Sequence, residues 1–445
     1  MPLSDALARL QAALAQALEG ATPPRRLLVA YSGGVDSQLL VHCLASGSGS
    51  AVSAPIQLIH VHHGLSAQAD RWAEHCQTQA EALGLPLEVV RVQPKQGPRI
   101  SLEASAREAR YQALAARCQT GDWLLTAHHR DDQVETLLLA LKRGSGPLGL
   151  SGMAERQPFA SGSLVRPWLR QSRAQIEAAA ASLGLAHIED DSNADERFDR
   201  NFLRRSALPL LNTRWPGFSQ SVARSAALCA EQQQLVDELA GEDLAHHRQE
   251  DGALSVRALA QMSAPRRNNL VRFWLRQQGA QLPSQAQMGA MAMLWQARED
   301  AQPQLDWGEH SLRRFRDGLY LVAPLPGLGE RCETLVLGQA TTLANGECWR
   351  LVEQSSGPRI MAPAPGQSVQ VRYDLPGSLR LHPAGRDRAR SLKKLWQEWG
   401  IPPWRRGQVA LLCYDDKVVS ALGLWLERSA LCDTGPGWVP IKEND

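Results

Sequence analysis

Lysine is scarce in this chain, occurring only at Lys95, Lys142, Lys393, Lys394, Lys417 and Lys442 among 48 basic residues. Arginine supplies the rest, which suits phosphate and base recognition and equally suits a GC-rich genome. The formal net charge of +2 is too small to demand a nucleic-acid partner. Paired cysteines are missing as well. Cys43, Cys76, Cys118, Cys229, Cys332, Cys348, Cys413 and Cys432 are scattered without a C-x-x-C, which argues against a disulfide framework or a zinc site of the usual spacing. No apolar run approaches the roughly 20 residues that span a bilayer. The opening stretch, MPLSDALARLQAALAQAL, runs at helical period without the continuous apolar centre of a signal peptide. Nor does any charge block or low-complexity tract interrupt a composition that is 44% hydrophobic and 21% charged. These absences leave a globular protein in a reducing, cytoplasmic setting, with no membrane partner. Its 445 residues exceed one ordinary core, so two or three domains are expected.

What is present begins with a rhythm. Apolar, β-branched runs stand at RLLVAYS, IQLIHVHHG, LEVVRV and DWLLTAHH, with a fifth at SLVRPWL. Helical patterns separate them: from Ser37, from Gln68 to Leu83, from Ser101 to Cys118, from Asp132 to Leu141 and from Arg173 to Leu183. This alternation predicts an α/β fold, a doubly wound parallel sheet with helices on both faces. In such sheets ligands bind beyond the carboxyl ends of the strands, where strand order reverses. Polar residues gather at those ends, as SGGVDS after the first strand, HHG after the second and HHRDDQ after the fourth.

SGGVDS (Ser32–Ser37) reads as a turn that only small residues fit, opening a helix. Gly33 and Gly34 permit backbone angles closed to other residues, so successive N–H groups can form an anion nest. Ser32 and Ser37 add hydroxyls, and the helix dipole favours negative charge. Asp36 would repel a phosphate directly, and its expected use is to hold Mg²⁺ bridging the phosphates. The same six residues also fit an ordinary βα turn with an N-cap serine. No Gly-Lys-Ser/Thr follows, so this is not a Walker A loop.

SGGVDS resembles the signature of the PP-loop, or N-type, ATP pyrophosphatases. Within that superfamily, further stretches are similar to the tRNA(Ile)-lysidine synthases: HVHHGL from His60, EASAREARY from Glu103, HHRDDQVETLLLALKRGSGPLGLSGM from His128, RPWL from Arg166 and DDSNADERFDRNFLRRSALP from Asp190. They cover most of residues 27–209 in order. Ser66 departs from the pattern, which commonly has arginine after HGL. The resemblance implies that ATP meets Ser32, Gly33, Gly34, Val35, Asp36, Ser37, His60 and Gly152, with Mg²⁺ at Asp36.

On the helix of HHRDDQVETLLL, Asp132, Glu135 and Thr136 share one face while Leu137, Leu138 and Leu141 pack inward. Two acidic groups facing a pocket suit a cationic amine or a metal, and they equally suit a solvated first turn. The resemblance assigns Asp132 and Glu135 to L-lysine or Mg²⁺. Arg107 and Arg110, and then Arg200, Asn201 and Arg204, are assigned to catalysis or substrate, where charge develops on the α-phosphate. His128 and His129 lack a third metal ligand and read as structural or positioning residues. Residues 144–152, GSGPLGLSG, are too glycine-rich for a rigid element and are expected to form a mobile cover.

Past Trp215 the character changes. The sequence predicts a catalytic domain over 1–215, a mainly helical middle domain over 216–330, a linker region over 331–367 with a Pro/Gly-rich stretch from Ser355 to Gln367, and a small α+β C-terminal domain over 368–445. RRNNLVRFWLRQQG is a basic amphipathic helix, and HSLRRFRDGLYLVAP a hairpin turning at Asp317-Gly318. AGRDRARSLKKLWQEWGIPPWRR resembles the family's C-terminal domain, implying tRNA contact through Lys393 and Lys394; Trp396, Trp399 and Trp404 fit core and stacking roles equally. The resemblance therefore implies a ligase acting on the wobble cytidine of a tRNA(Ile) with a CAU anticodon, using ATP and L-lysine. A PP-loop thiolase or a non-catalytic tRNA-binding protein are the rival readings.

Overall fold

The computed structural model describes residues 5–20, 22–47, 54–95, 97, 102–189, 195–298, 301, 303–329 and 331–443. Ser101 and the stretch 190–194, which opens the last family-like segment, lie outside them. The chain divides into two compact units, Met1–Leu239 and Ala240–Asp445.

The first unit carries the expected α/β rhythm: α1 (Asp5–Leu18), β1 (Arg26–Ala30), α2 (Val35–Ala45), β2 (Ile56–His62), α3 (Ala69–Ala82), β3 (Leu87–Arg91), α4 (Leu102–Ala115), β4 (Asp122–Leu125), α5 (Arg130–Lys142), α6 (Pro147–Leu150), β5 (Arg156–Phe159), β6 (Gly162–Val165) and α7 (Arg173–Ser182). The sheet order is β3-β2-β1-β4-β6-β5. All neighbours pair in parallel except β5 with β6. The order reverses between β1 and β4, so the crevice of a doubly wound sheet opens between the loops that follow those two strands.

The strands show why the sheet is covered on both faces. Leu27, Val29, Leu58, Leu125 and Val165 enter one core with α1, α2 and α7. Their strand neighbours Leu28, Ile59, Leu124 and Leu164 enter the other, with Leu114 of α4. Successive residues alternate faces, and both faces are apolar because both are buried. The antiparallel edge strand β5, RQPF, was not expected; it is partly exposed and carries Pro158, which an edge tolerates. SLVRPWL leaves the sheet at Arg166, and fully buried Trp168 donates its indole N–H to the Leu10 carbonyl at 3.0 Å, anchoring α1.

After α7 come α8 (Asp199–Phe202), a π-helical turn (Leu203–Ala207), α9 (Leu208–Arg214) and the long α10 (Phe218–His247). The second unit continues with β7 (Leu254–Ser255), α11 (Val256–Gln261), α12 (Ala264–Gln277), α13 (Gln285–Ala290), α14 (Ala292–Gln296), β8 (Gln304–Trp307), β9 (His310–Phe315) and β10 (Gly318–Val322). Helix α12, the basic amphipathic candidate, buries Leu270, Val271, Trp274 and Leu275, and Arg266 pairs with Asp243 at 2.6 Å. The hairpin turns one residue earlier than expected: Gly318 pairs with Phe315, leaving Arg316 (φ 53°) and Asp317 in the turn. Two forces shift it. Asp317 accepts from Ser255 Oγ and the Arg257 N–H, both at 2.9 Å, and a Cβ on Gly318 would meet the Tyr320 ring at 2.5 Å.

The remainder folds as β11 (Cys332–Thr334), β12 (Ala340–Thr342), β13 (Cys348–Gln354), β14 (Val369–Arg372), β15 (Arg380–Leu381), β16 (Arg390–Ser391), α15 (Leu392–Glu398), α16 (Pro403–Arg406), β17 (Leu411–Tyr414), β18 (Lys417–Ala421), β19 (Trp425–Leu426) and β20 (Gly437–Glu443). Residues 331–367 are not a linker. β11 pairs with β14, β13 pairs with β20 from Cys348↔Glu443 to Gln354↔Gly437, and Ile360 bridges Leu431 and Trp438. Leu335, Leu343, Trp349, Leu351 and Ile360 lie in the core. The strands here are short and half exposed, so polar and Pro/Gly content masked their pairing.

Candidate active site

The SGGVDS loop sits at the sheet's switch point. Gly33 has φ 82°, and a Cβ there would lie 2.4 Å from Ile188 Cδ1 and 2.8 Å from Cys76 Sγ. Only glycine fits. Its carbonyl accepts the Ile188 N–H at 2.9 Å, tying the loop to the segment that follows α7. Gly34 caps α2 with extended backbone. Ser37 Oγ donates to the Gly34 carbonyl at 3.1 Å, lies 3.1 Å from Ser32 Oγ and accepts the Ser32 N–H at 3.3 Å. The hydroxyls therefore shape the turn, and the first N–H groups of α2, from Val35 onward, are left for an anion.

His60, expected at the nucleotide, lies beneath the loop. It is 6% exposed, with Nδ1 3.0 Å from the Tyr31 carbonyl and 3.4 Å from Cys76 Sγ. It supports β1 where the loop leaves the strand. Gly152 also acts through packing: at φ 64°, its Cβ position falls 2.5 Å from Gln133 Oε1. Gln133 exchanges two hydrogen bonds with the Met153 backbone, at 2.9 and 2.7 Å. The segment expected as a mobile cover thus contains the helical turn α6 and is clamped to α5 at Met153.

Across the switch point, α5 carries the acidic group. The His129 N–H donates to Asp132 Oδ2 at 3.0 Å. His129 Nε2 lies 3.4 Å from Asp132 Oδ2 and 3.8 Å from Asp36 Oδ1, linking the two loops. Arg204, from the π-helical turn, grips Glu135 through Nε at 2.8 Å and Nη2 at 3.0 Å, and Nη2 reaches Asp132 Oδ1 at 3.2 Å. Glu135 is 0% exposed, and each of its oxygens accepts a hydrogen bond from Arg204. Its task in this structure is to hold Arg204. Arg200 donates to Thr136 Oγ1 at 3.3 Å, and Asn201 to the Asp195 carbonyl at 2.9 Å.

Charge is partitioned among these groups. Burial pushes Asp36 above the usual carboxylate range, opposed by His129 and Arg173. Burial acts to raise Asp132 too, yet His129, its main-chain N–H and Arg204 oppose it, and Asp132 is held low. Burial raises Glu135 against the pull of Arg204, while Arg204 is held more firmly protonated by Glu135 and Asp132 despite its own burial. Arg107 and Arg110 lie over the Tyr111 ring, 5.0 and 5.7 Å from its centroid. Both act on His128, which burial, these arginines and Arg166 push down to about 3. His63 falls to about 4 through burial and Arg110. Both imidazoles are neutral near pH 7, so arginines carry the positive charge of this rim.

Several residues here were not anticipated. Arg173 Nη1 stands 3.5 Å from Asp36 Oδ2, and its main-chain N–H donates to Asp131 Oδ2 at 2.9 Å. Arg166 joins the basic rim, acting on His128 beside Arg107 and Arg110. The available signal was Ser172, an N-cap with Gln175 three residues on, which puts Arg173 at the start of a helix on the same rim. Lys393 and Lys394 stand exposed on α15 in the second unit.

Among the described residues no three His, Cys, Asp or Glu side chains form a metal-binding group. Asp36 Oδ1 is nevertheless buried without a hydrogen-bond partner. That orphaned oxygen fits a cation whose other ligands come from a nucleotide. No helix among the described residues is long and apolar enough to cross a membrane.

A parallel sheet with a glycine-serine nest at its switch point, faced by an acidic helix and arginines, defines a nucleotide-binding PP-loop domain, and residues 6–211 match the family model described as the PP-loop domain. Residues 254–320 match the TilS substrate binding domain, and 369–440 the TilS substrate C-terminal domain. The chain is 46% identical over 417 residues to the tRNA(Ile)-lysidine synthase of Serratia proteamaculans (strain 568), covering 92% of this chain and 94% of that one. Against the tRNA(Ile)-lysidine synthase of Salmonella typhimurium (strain LT2) it is 44% identical, covering 93% and 95%. The chain belongs to the tRNA(Ile)-lysidine synthase family.

Proposed function

We propose that this chain is the ATP-dependent ligase that adenylates the wobble cytidine of a tRNA(Ile) with a CAU anticodon and joins it to the ε-amine of L-lysine. AMP and pyrophosphate leave, and lysidine is formed. The observation that carries the reading is the meeting, at one switch point, of the SGGVDS nest with the Asp132–Glu135–Arg204 group, linked through His129.

The chemistry follows from charge. A cytosine carbonyl oxygen is a poor leaving group, and adenylation makes it a good one. O2 of the base attacks the α-phosphate, whose bond to the bridging oxygen breaks towards pyrophosphate. The main-chain N–H groups of α2, with Val35, Asp36 and Ser37 at its start, hold the anionic tail. Asp36, through its unpartnered oxygen, would hold Mg²⁺, which would supply electrostatic relief on the phosphates. Arg107 and Arg110, with Arg200 nearby, meet the charge gathering on the α-phosphate. Asp132, held ionised, anchors the lysine ammonium; Glu135 acts one step back by orienting Arg204, and Asn201 braces the loop that delivers it. Once the ε-ammonium has lost a proton to solvent, the ε-amine attacks carbon 2 of the base, the bond from carbon 2 to O2 breaks, and AMP departs carrying O2. The basic α15, with Lys393 and Lys394, holds the tRNA, and the cytoplasm, where tRNA, ATP and lysine meet, is the setting.

Incubation with labelled lysine, ATP and tRNA transcripts tests the reading. Lysine incorporation dependent on the anticodon cytidine, with AMP and pyrophosphate released in equal amounts, is expected. Release of ADP and orthophosphate would overturn it, as would sulfur incorporation or RNA binding without turnover.

A further inference from the structure

Arg173 is the first residue of α7, and both ends of its attachment are fixed. Its main-chain N–H is held by Asp131 Oδ2 at 2.9 Å, and its Nε donates to Glu177 Oε1 at 2.7 Å. Helix α7 is itself anchored by buried Ile176, Ala179 and Ala180. With its stem held, the guanidinium presents Nη1 to Asp36 Oδ2 at 3.5 Å. That is long beside the roughly 2.7–2.9 Å of a charge-assisted hydrogen bond, so Asp36 is a near neighbour and not a locked partner. Asp36 stands two residues beyond the N-cap of α2, on the loop read above as the grip on the triphosphate.

We propose that Arg173 is the leaving-group cation of the adenylation step: it neighbours Asp36 and donates to the departing pyrophosphate when ATP is bound. As O2 of cytidine bonds to the α-phosphorus, the bond to the α–β bridging oxygen breaks. Its electron pair stays on pyrophosphate, and a donor aimed there stabilises the transition state more than the ground state. Arg107 and Arg110 lie over the Tyr111 ring and Arg204 is engaged by Glu135 and Asp132, whereas Arg173 stands beside Asp36 at the start of α2. The inference rests on the reading that Ser32–Ser37 hold the triphosphate.

Two measurements on the full-length enzyme test it. Binding of inorganic pyrophosphate with Mg²⁺, by calorimetry, is expected to weaken about ten- to a hundredfold in Arg173→Ala, the worth of a lost hydrogen bond between charged groups. Single-turnover AMP formation falls in parallel, Arg173→Lys recovers part of both, and tRNA affinity is unchanged. A merely structural Arg173 would move the melting temperature and leave pyrophosphate affinity within twofold of wild type, which overturns the inference. Should the alanine variant fail to fold, Arg173→Gln carries the same test with the same two outcomes. If wild-type enzyme releases AMP and pyrophosphate and the variants match it, only the role of Arg173 falls. If wild type releases ADP and orthophosphate, the reading of the loop falls first.

Discussion

Gly33 shows how one residue can be decided twice over. Its φ of 82° disfavours any side chain, and the space a Cβ would need is already filled by Ile188 and Cys76. Gly33→Ala is expected to cost about 2 kcal/mol or more and to abolish ATP binding, read by thermal melts and nucleotide titration. Retention of ATP affinity would show that the nest does not depend on the tight turn. His63 makes a pH statement. Its folded value of about 4 lies below its ordinary 6.5, so the neutral form contributes stability that is complete above about pH 6.5 and is lost as pH falls towards 4. His128, held at about 3, acts in the same direction. The melting temperature should therefore drop between pH 7 and pH 5, and His63→Gln should flatten that drop. An equal slope in the variant would remove His63 from the account.

At the scale of elements, Asp317 joins the β9–β10 turn to the start of α11 by accepting from Ser255 Oγ and the Arg257 N–H. Asp317→Ala should cost about 1 kcal/mol, as for the loss of a helix cap, measurable by denaturant titration without change in ATP affinity. The same turn shows where sequence reading stops. RLLVA and DWLL are legible because burial on both faces demands continuous apolar runs. RQPF, CET and ATT are not, because a short edge strand owes its pairing to neighbours rather than to its own residues. The hairpin itself was readable, while its register was set by Asp317 reaching out of it and by the Tyr320 ring. The site follows the same division. SGGVDS and HHRDD announce themselves by falling at successive strand ends. Arg173 reads as a solvated helical arginine, because its partner Asp36 is 137 positions away in the chain. Glu135 was found for its charge, but its covering by Arg204 is a tertiary fact.

Over the whole molecule, chemistry and RNA holding are read into different units. Asp36 belongs to Met1–Leu239, and Lys393 and Lys394 to Ala240–Asp445. The α15 lysines are exposed while Leu392, Leu395 and Trp396 of the same helix are buried, and the Trp396 ring packs at a tilt against Trp425, with centroids 5.2 Å apart. That packing spends Trp396 on the core, leaving the lysines as the helix's free cationic face. Phosphate contacts of this kind set affinity and its salt dependence rather than sequence choice. Lys393→Ala with Lys394→Ala should weaken tRNA binding by roughly tenfold and shallow its logarithmic salt slope by about 1.5 to 2. ATP affinity should hold, because the nest is built from Ser32–Ser37 of the first unit. Asp36→Ala should do the reverse, removing AMP formation while tRNA still binds with the full salt slope. Filter binding across a salt series, run beside an AMP-release assay on the same preparations, separates the two. If the lysine variants lose ATP affinity, or Asp36→Ala loses the salt slope, the division of labour between the units is wrong, because each group would then be acting on the other's ligand.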